Sequence, residues 1–260
     1  ECYFRPVLLY EAKPGASRVG NLAYRGGIQL TSPDRRFGGF SGMVVTPKSH
    51  RFKIVTDIGF KIEGEFTHNN HGHLTGVRDM TIANLYGEDG RPLKGAKNTD
   101  AESLAILPGG QIATSFERRH RILVTSPNTR RTLPIPTDLN RAPQNSGLEA
   151  ITALTDGRLL LITEAFRSNR SSILATRGWI QTIKGEWKRM DIEVPSAFKP
   201  TGATTLPNGD VYILLRKFSP LTGVIIRIAR LVIAENSDSL GQLKTVAELA
   251  PPMNVDNFEG

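Results

Sequence analysis

Apolar residues in this chain come in short runs of four to eight, many of them alternating with polar ones, and helical spacing is scarcely present. One such pattern runs from Asp100 to Glu117, where an apolar strand leads into Gly109-Gly110, a second leads out, and an acidic residue stands at each open end. A turn of that kind between alternating runs predicts a β-hairpin. The pattern recurs without a gap at Gly147–Glu164, with Glu149 on Glu102 and Glu164 on Glu117, and again at Lys199–Arg216. A looser copy opens at Gly39-Phe40-Ser41-Gly42, runs to Pro47, and returns through Phe52–Thr56 to Asp57. A fifth begins at Asn257-Phe258-Glu259-Gly260.

If each turn is a two-residue one, centred between Gly109 and Gly110, then Glu102 faces Glu117 across the hairpin. By the same register Glu149 faces Glu164, Thr201 faces Arg216, and Ser41 roughly faces Asp57. Carboxylates opposed across a strand pair repel, so a bound cation, a neighbouring Arg or a retained proton must compensate them. After Asp57, residues 59–66 and 76–85 read as a third and a fourth strand. Repeats of about four antiparallel strands, at or somewhat above the roughly 40–50 residues usual for propeller blades, predict an all-β propeller of five or six blades. A sandwich gives no reason to repeat one hairpin in register with the same polar ends. The blades would start near Ser41, Glu102, Glu149, Thr201 and Glu259, in a single domain over residues 1–260. The strands within residues 7–30 would close the last blade, whose C-terminal strands the chain does not supply. Ser41, Glu102, Glu149, Thr201 and Glu259 would then ring one mouth of the channel, with Asp57, Glu117, Glu164 and Arg216 just outside.

Composition narrows the function. The chain has 260 residues, 39% of them hydrophobic, which is ample for a core, and no apolar run approaches the length that crosses a bilayer. A single cysteine, Cys2, excludes an internal disulfide. The formal charge of +8, from 33 basic and 25 acidic residues, favours anionic partners. Nucleic acid is not expected, because the basic groups are scattered and no aromatic residues interleave with them.

The mouth residues suggest hydrolytic chemistry. Asp57, Glu102, Glu117, Glu149, Glu164 and Glu259 can supply the oxygen ligands that Ca²⁺ requires, with Glu102, Glu149 and Glu164 as the expected catalytic groups. Arg118, Arg167 and Arg216, with Ser41 at the ring, are the expected contacts for a small anionic substrate such as a phosphate ester. A serine esterase is disfavoured, since there is no Gly-x-Ser-x-Gly elbow and the repeat places no histidine near Ser41. His68, His71 and His73 fall in an Asn- and Gly-rich stretch that reads as a solvent-exposed turn. The alternative function is a non-catalytic propeller that binds a ligand or a partner protein through the same face.

Four motifs in order, Gly38-Gly39-Phe40-Ser41-Gly42, Asp100-Ala101-Glu102-Ser103-Leu104, Asn145-Ser146-Gly147-Leu148-Glu149-Ala150 and Asp256-Asn257-Phe258-Glu259-Gly260, resemble the phytase-like domain of bacterial proteins described as having "esterase-like activity of phytase". The resemblance covers about residues 26–260. It implies a six-bladed or similar propeller, an exported and periplasmic or secreted protein, and an esterase or phosphoesterase activity. The chain lacks the Asp-Ala-Ala-Asp-Asp-Pro-Ala stretch of calcium-dependent propeller phytases, which points away from phytate itself.

Overall fold

The computed structural model describes residues 1–46, 49–167, 175–233 and 240–259; Pro47 of the first copy and Gly260 of the fifth lie outside them. Four short N-terminal strands, β1 (Tyr3–Val7), β2 (Arg18–Val19), β3 (Leu22–Ala23) and β4 (Gly27–Thr31), precede four antiparallel blades. The first blade holds β5 (Phe40–Val45), β6 (Arg51–Thr56), β7 (Phe60–His68) and β8 (Leu74–Asn84). The second holds β9 (Ala101–Ile106), β10 (Ile112–Phe116), β11 (Arg121–Thr125) and β12 (Arg130–Leu133). The third holds β13 (Leu148–Ala153), β14 (Leu159–Arg167), β15 (Ala175–Gln181) and β16 (Trp187–Glu193). The fourth holds β17 (Lys199–Thr205), β18 (Val211–Ser219), β19 (Gly223–Ile233) and β20 (Leu240–Leu249). Each blade is a meander in sequence order, and a short parallel pairing of β16 with β20 joins the last two blades at their outer edges. The protein is a β-propeller.

The repeated first strands, β5, β9, β13 and β17, lie side by side around the centre. They are kept close by small residues and by polar contacts that pass from blade to blade. Ile151 N–H donates to Ser103 Oγ at 3.4 Å, and the hydroxyls of Thr152 and Thr205 are 3.0 Å apart. Gly42 marks the tightest approach: a Cβ there would lie 2.6 Å from Ser103 Cα and 2.8 Å from the Glu102 carbonyl oxygen. Both obstacles are backbone, so Gly42→Ala is expected to cost about 2 kcal/mol through overpacking and to displace Glu102. A lowered thermal midpoint would be the readout.

Between blades the facing sheets bury apolar cores. Ala113, Ile122 and Val124 of the second blade meet Leu148, Ile151 and Leu161 of the third, while Leu160 and Ile162 of the third meet Ile213, Leu215 and Ala229 of the fourth. At the remaining position β1 and β4 pair with each other and pack on β8. The C-terminal stretch returns beside them, with Asn254 N–H donating to the Leu9 carbonyl at 3.0 Å and the Asn254 side-chain amide to the Leu8 carbonyl at 2.7 Å.

The hairpin register corrects the sequence expectation. Each turn is a three-residue loop and not a two-residue one: Leu107 N–H reaches Gln111 O at 2.8 Å, Leu154 N–H reaches Arg158 O at 2.7 Å and Leu206 N–H reaches Asp210 O at 2.8 Å. The third loop residue is a glycine at positive φ in each, Gly110 (78°), Gly157 (85°) and Gly209 (89°), as such loops require. The pairing therefore centres on Gly109, Asp156 and Asn208, so Glu102 does not face Glu117, Glu149 does not face Glu164, and Thr201 does not face Arg216. The ladder skips one residue in every copy, and the skipped residues are Ser41, Glu102, Glu149 and Thr201. All four ring positions are β-bulges, a device that bends a strand end and re-aims a side chain. Beyond the bulges Asp57 N–H bonds the Gly39 carbonyl, Glu117 N–H that of Asp100, and Glu164 N–H that of Gly147, at 2.9, 2.9 and 3.0 Å.

Candidate functional site

The bulges bring one carboxylate-rich cluster to the open ends of the inner hairpins. Glu117, Glu149, Glu164 and Asp100 are buried, Glu102 and Glu259 are half-buried, and Asp57 stands at the exposed rim with its carboxylate over Gly39. Among the described residues, one group of three carboxylates has ligand oxygens within 4.8 Å of one another: Asp100, Glu102 and Glu117. Glu149, Glu164, Glu259 and Asp57 surround this group and act on it through the field. Thr201, fully buried, donates its hydroxyl to the Phe258 carbonyl at 2.9 Å, which brings Glu259 into the cluster.

Two of the expected forms of compensation are found, basic side chains beside the carboxylates and carboxyls whose hold on a proton is strengthened. Arg118 Nε bonds the Asp100 carboxylate. Glu164 is held by Lys199 at 3.0 Å and Arg216 at 3.4 Å, and Arg216 also reaches Glu259 at 3.2 Å and the Asn257 side chain. The Gly147 amide donates to Glu117 at 2.6 Å. Glu102 and Glu149 receive no hydrogen bond or cation from the described residues. Burial, reinforced by Glu117 and Asp100, lifts the Glu102 carboxyl to about 8. Burial also lifts Glu117 to about 7 against the pull of the Gly147 amide. Glu149 is pushed well above the usual carboxylate range by burial and then by Glu102 and Glu164. Burial raises Asp57 and Glu259 as well, with Asp100 adding to the first. Seven carboxylates against Arg118, Lys199 and Arg216 leave a surplus of negative charge for a hard cation or retained protons to neutralise.

The expected cationic contacts fall in different places. Arg118 sits at the rim beside the triad with an exposed guanidinium, whereas Arg216 is half-buried and committed to Glu164, Glu259 and Asn257. Arg167, at the exposed end of β14, makes no ion pair with the ring; Glu164 pairs with Lys199 and Arg216 and not with it. Ser41 is buried, its hydroxyl donating to the Gly39 carbonyl at 3.3 Å. Asp100 and Lys199 were missed as site residues because the assumed register left them without a partner, yet each lies just before a ring position in its copy. His120 was missed too. Its ring packs on Gly147, the glycine whose amide holds Glu117, and among the described residues neither buried ring nitrogen makes a well-formed hydrogen bond, although backbone groups of Ala142, Pro143 and Phe116 lie close by. Burial keeps that imidazole below its ordinary range. His68, His71 and His73 lie at the β7–β8 turn, where the Asn69 side chain caps the amides of His71 and His73 at 3.0 Å each.

The family described as "Phytase-like: esterase-like activity of phytase" matches residues 35–260, a span that contains all four bulges and the whole carboxylate cluster. The chain belongs to the phytase-like family. No curated protein matches this phytase-like chain. Among solved structures it is similar to an engineered GH43 glycoside hydrolase with endo-xylanase and exo-arabinofuranosidase activity, at 12% identity and a TM-score of 0.50, over 85% of this chain and 43% of that one. It also resembles a protein provisionally assigned as a gluconolactonase, at 12% identity and a TM-score of 0.44, over 81% and 64% of the two chains. A catalytically inactive virginiamycin B lyase from Staphylococcus aureus, solved with quinupristin, is 14% identical with a TM-score of 0.45, over 95% and 89%. The phytase-like chain spans less than two thirds of the first two. Identities this low speak only to the fold, and of the three only the glycoside hydrolase has a TM-score that does not fall below one half.

Proposed function

We propose that this phytase-like protein is a metal-assisted hydrolase of a small anionic ester, most simply a phosphate ester, acting at the acidic mouth of its propeller. The observation that carries the reading is the convergence of Asp100, Glu102 and Glu117 within 4.8 Å beside the exposed guanidinium of Arg118. Three convergent carboxylates on bulged strand ends suit a hard cation such as Ca²⁺, which takes about six to eight oxygens and leaves room for water and substrate. When bound, such a cation polarises an ester oxygen and lowers the pKa of a water. Arg118 presents the forked donor that phosphate recognition favours. Burial and the neighbouring Glu102 and Glu164 raise the proton affinity of Glu149, which suits it to the general-acid role. Lys199 and Arg216 fix Glu164 beside it. A protein-docking face is the second reading, with Ile58 beside Asp57 and Phe218 beyond Arg216 as its exposed apolar residues, and it makes the opposite prediction in the assay. A periplasmic or secreted setting, where calcium is plentiful, fits the reading; among the described residues no helix is long and apolar enough to cross a membrane.

Hydrolysis of p-nitrophenyl phosphate and p-nitrophenyl butyrate should be followed with added calcium and with EGTA. Calcium-dependent turnover of the phosphate ester, lost in EGTA, is the expected result. Turnover of the butyrate alone would move the substrate to carboxylic esters, and turnover of neither by calcium-loaded, folded protein would leave the mouth as a binding surface.

A further inference from the structure

The interface between the first two blades differs from those that follow. Counting back from the ring hairpin, Lys53 stands three residues before Thr56, as Ala113 stands three before Phe116 and Leu160 three before Thr163. Across the next strand pair, Lys53 faces Glu63 where Ala113 faces Val124 and Leu160 faces Ile180. Val55 faces Lys61 where Ser115 faces Ile122. In the second blade Ala113, Ile122 and Val124 are completely or almost completely buried in the core against the third blade. The first blade therefore carries Lys53, Lys61 and Glu63 at three positions that its neighbour gives to core side chains.

The consequence is an open wedge. A cavity of about 480 Å³ runs between the blades, floored by Val55, Leu104 and Leu123 and walled by the three charged side chains. That volume lies in the range of small-molecule sites, about 300–1,000 Å³. On the second blade's side Arg130 borders it, with its guanidinium 5.5 Å from the Tyr86 ring centroid. Glu63 is shared by both ammonium groups, at 2.7 Å from Lys53 and 3.0 Å from Lys61. One carboxylate thus answers two lysines, and Arg130 adds a third cation, so the wall is left with two positive charges in excess. Lysine stems can cover apolar surface while their heads reach water, but an Ala, Ile and Val set would pack this wedge shut as it does one blade further on. Charges where local pattern demands core are the kind of inconsistency that proteins keep at functional sites.

We propose that this wedge is a second ligand site, distinct from the carboxylate ring, for an organic anion with an apolar body. The apolar part lies on Val55, Leu104 and Leu123, and the anionic group meets Lys53, Lys61 and Arg130. The site stands independently of any reaction at the mouth. The probe is 8-anilinonaphthalene-1-sulfonate, an aromatic anion whose fluorescence rises in apolar surroundings, titrated into the folded full chain. Saturable binding is expected. It should weaken by at least about tenfold in Lys53→Met/Lys61→Met and about threefold in Arg130→Gln, fall with added salt, and be unchanged in Lys244→Met on the exposed face of β20. Should the double variant lose its cooperative melt, Arg130→Gln at the rim carries the test. No saturable binding by the parent, or equal binding by parent and both variants, overturns the assignment.

Discussion

Without metal, the protein is expected to lose stability as the pH rises from about 4.5 to about 8, and calcium is expected to restore it. The cause is the buried carboxylates. Glu102 ionises near its ordinary 4.5 in the unfolded chain but at about 8 in the folded one, and Glu117 at about 7. Between those limits the folded state holds protons that the unfolded state has released, so stability is fully present below the unfolded value and falls as the pH climbs through the folded values. The two groups titrate together, and their combined effect is on the order of a few kcal/mol once solvent relaxation is allowed for. The sign is opposite to that of an ordinary salt-bridged carboxylate, which makes the test sharp. Thermal melts in EGTA should show a midpoint that falls across this window, and excess calcium should flatten the curve by binding only the folded state.

Changing both Glu102 and Glu117 to Gln carries the same prediction to its largest effect. Calcium binding by calorimetry should weaken by more than about 100-fold, since two of three convergent charged ligands are gone. The metal-free double variant should at the same time be more stable than the parent above pH 7, because like charges have been removed and Gln can still accept the Gly147 amide. Carboxylates that served only as structural ion-pair partners would give the reverse, a less stable variant. A stable parent with a flat pH curve and no calcium binding would sink the metal site.

The legible part of this protein was its repetition. Glu102, Glu149, Ser41 and Thr201 were found as equivalent positions because one hairpin recurs with the same glycine turn, and equivalence in a propeller means convergence. The register was not legible. Gly109-Gly110 looks like a two-residue turn, but the loop also takes in Pro108, and that one residue moves every pairing. The same error hid Asp100, which lies opposite Glu117 once both the loop and the bulge at Glu102 are counted, and it hid Lys199, which pairs with Arg216 across β17 and β18 beyond the bulge at Thr201. The bulges were invisible for a further reason. They show in the sequence only as a residue that alternation would send to the wrong face, and in a strand such as Ala-Glu-Ser-Leu-Ala-Ile, small polar and apolar residues blur that alternation. His120 could have been suspected from its place within Arg118-Arg119-His120-Arg121, but nothing local says that it packs on a glycine 27 positions away.

Arg216→Met is expected to be the most destabilising single change at the mouth, by about 2–3 kcal/mol. Arg216 is only 23% exposed, and it serves Glu164, which is 8% exposed, and Glu259 at once. Removing one member of a buried ion pair leaves the other desolvated and unpaired, which costs about 3–5 kcal/mol when burial is complete; solvent at Arg216 and the remaining Lys199 reduce that figure. Lys199→Met offers the contrast. It removes a partner of the same Glu164, but its side chain is 47% exposed, and pairs of that kind contribute less than about 1 kcal/mol. If the stranded carboxylate is the cause, Arg216→Met/Glu164→Gln should recover at least about 1 kcal/mol of the loss, read as denaturant midpoints at constant slope. A double variant as unstable as the single one would mean that Arg216 acts through the packing of its stem. In that event the ring would be held by shape more than by charge.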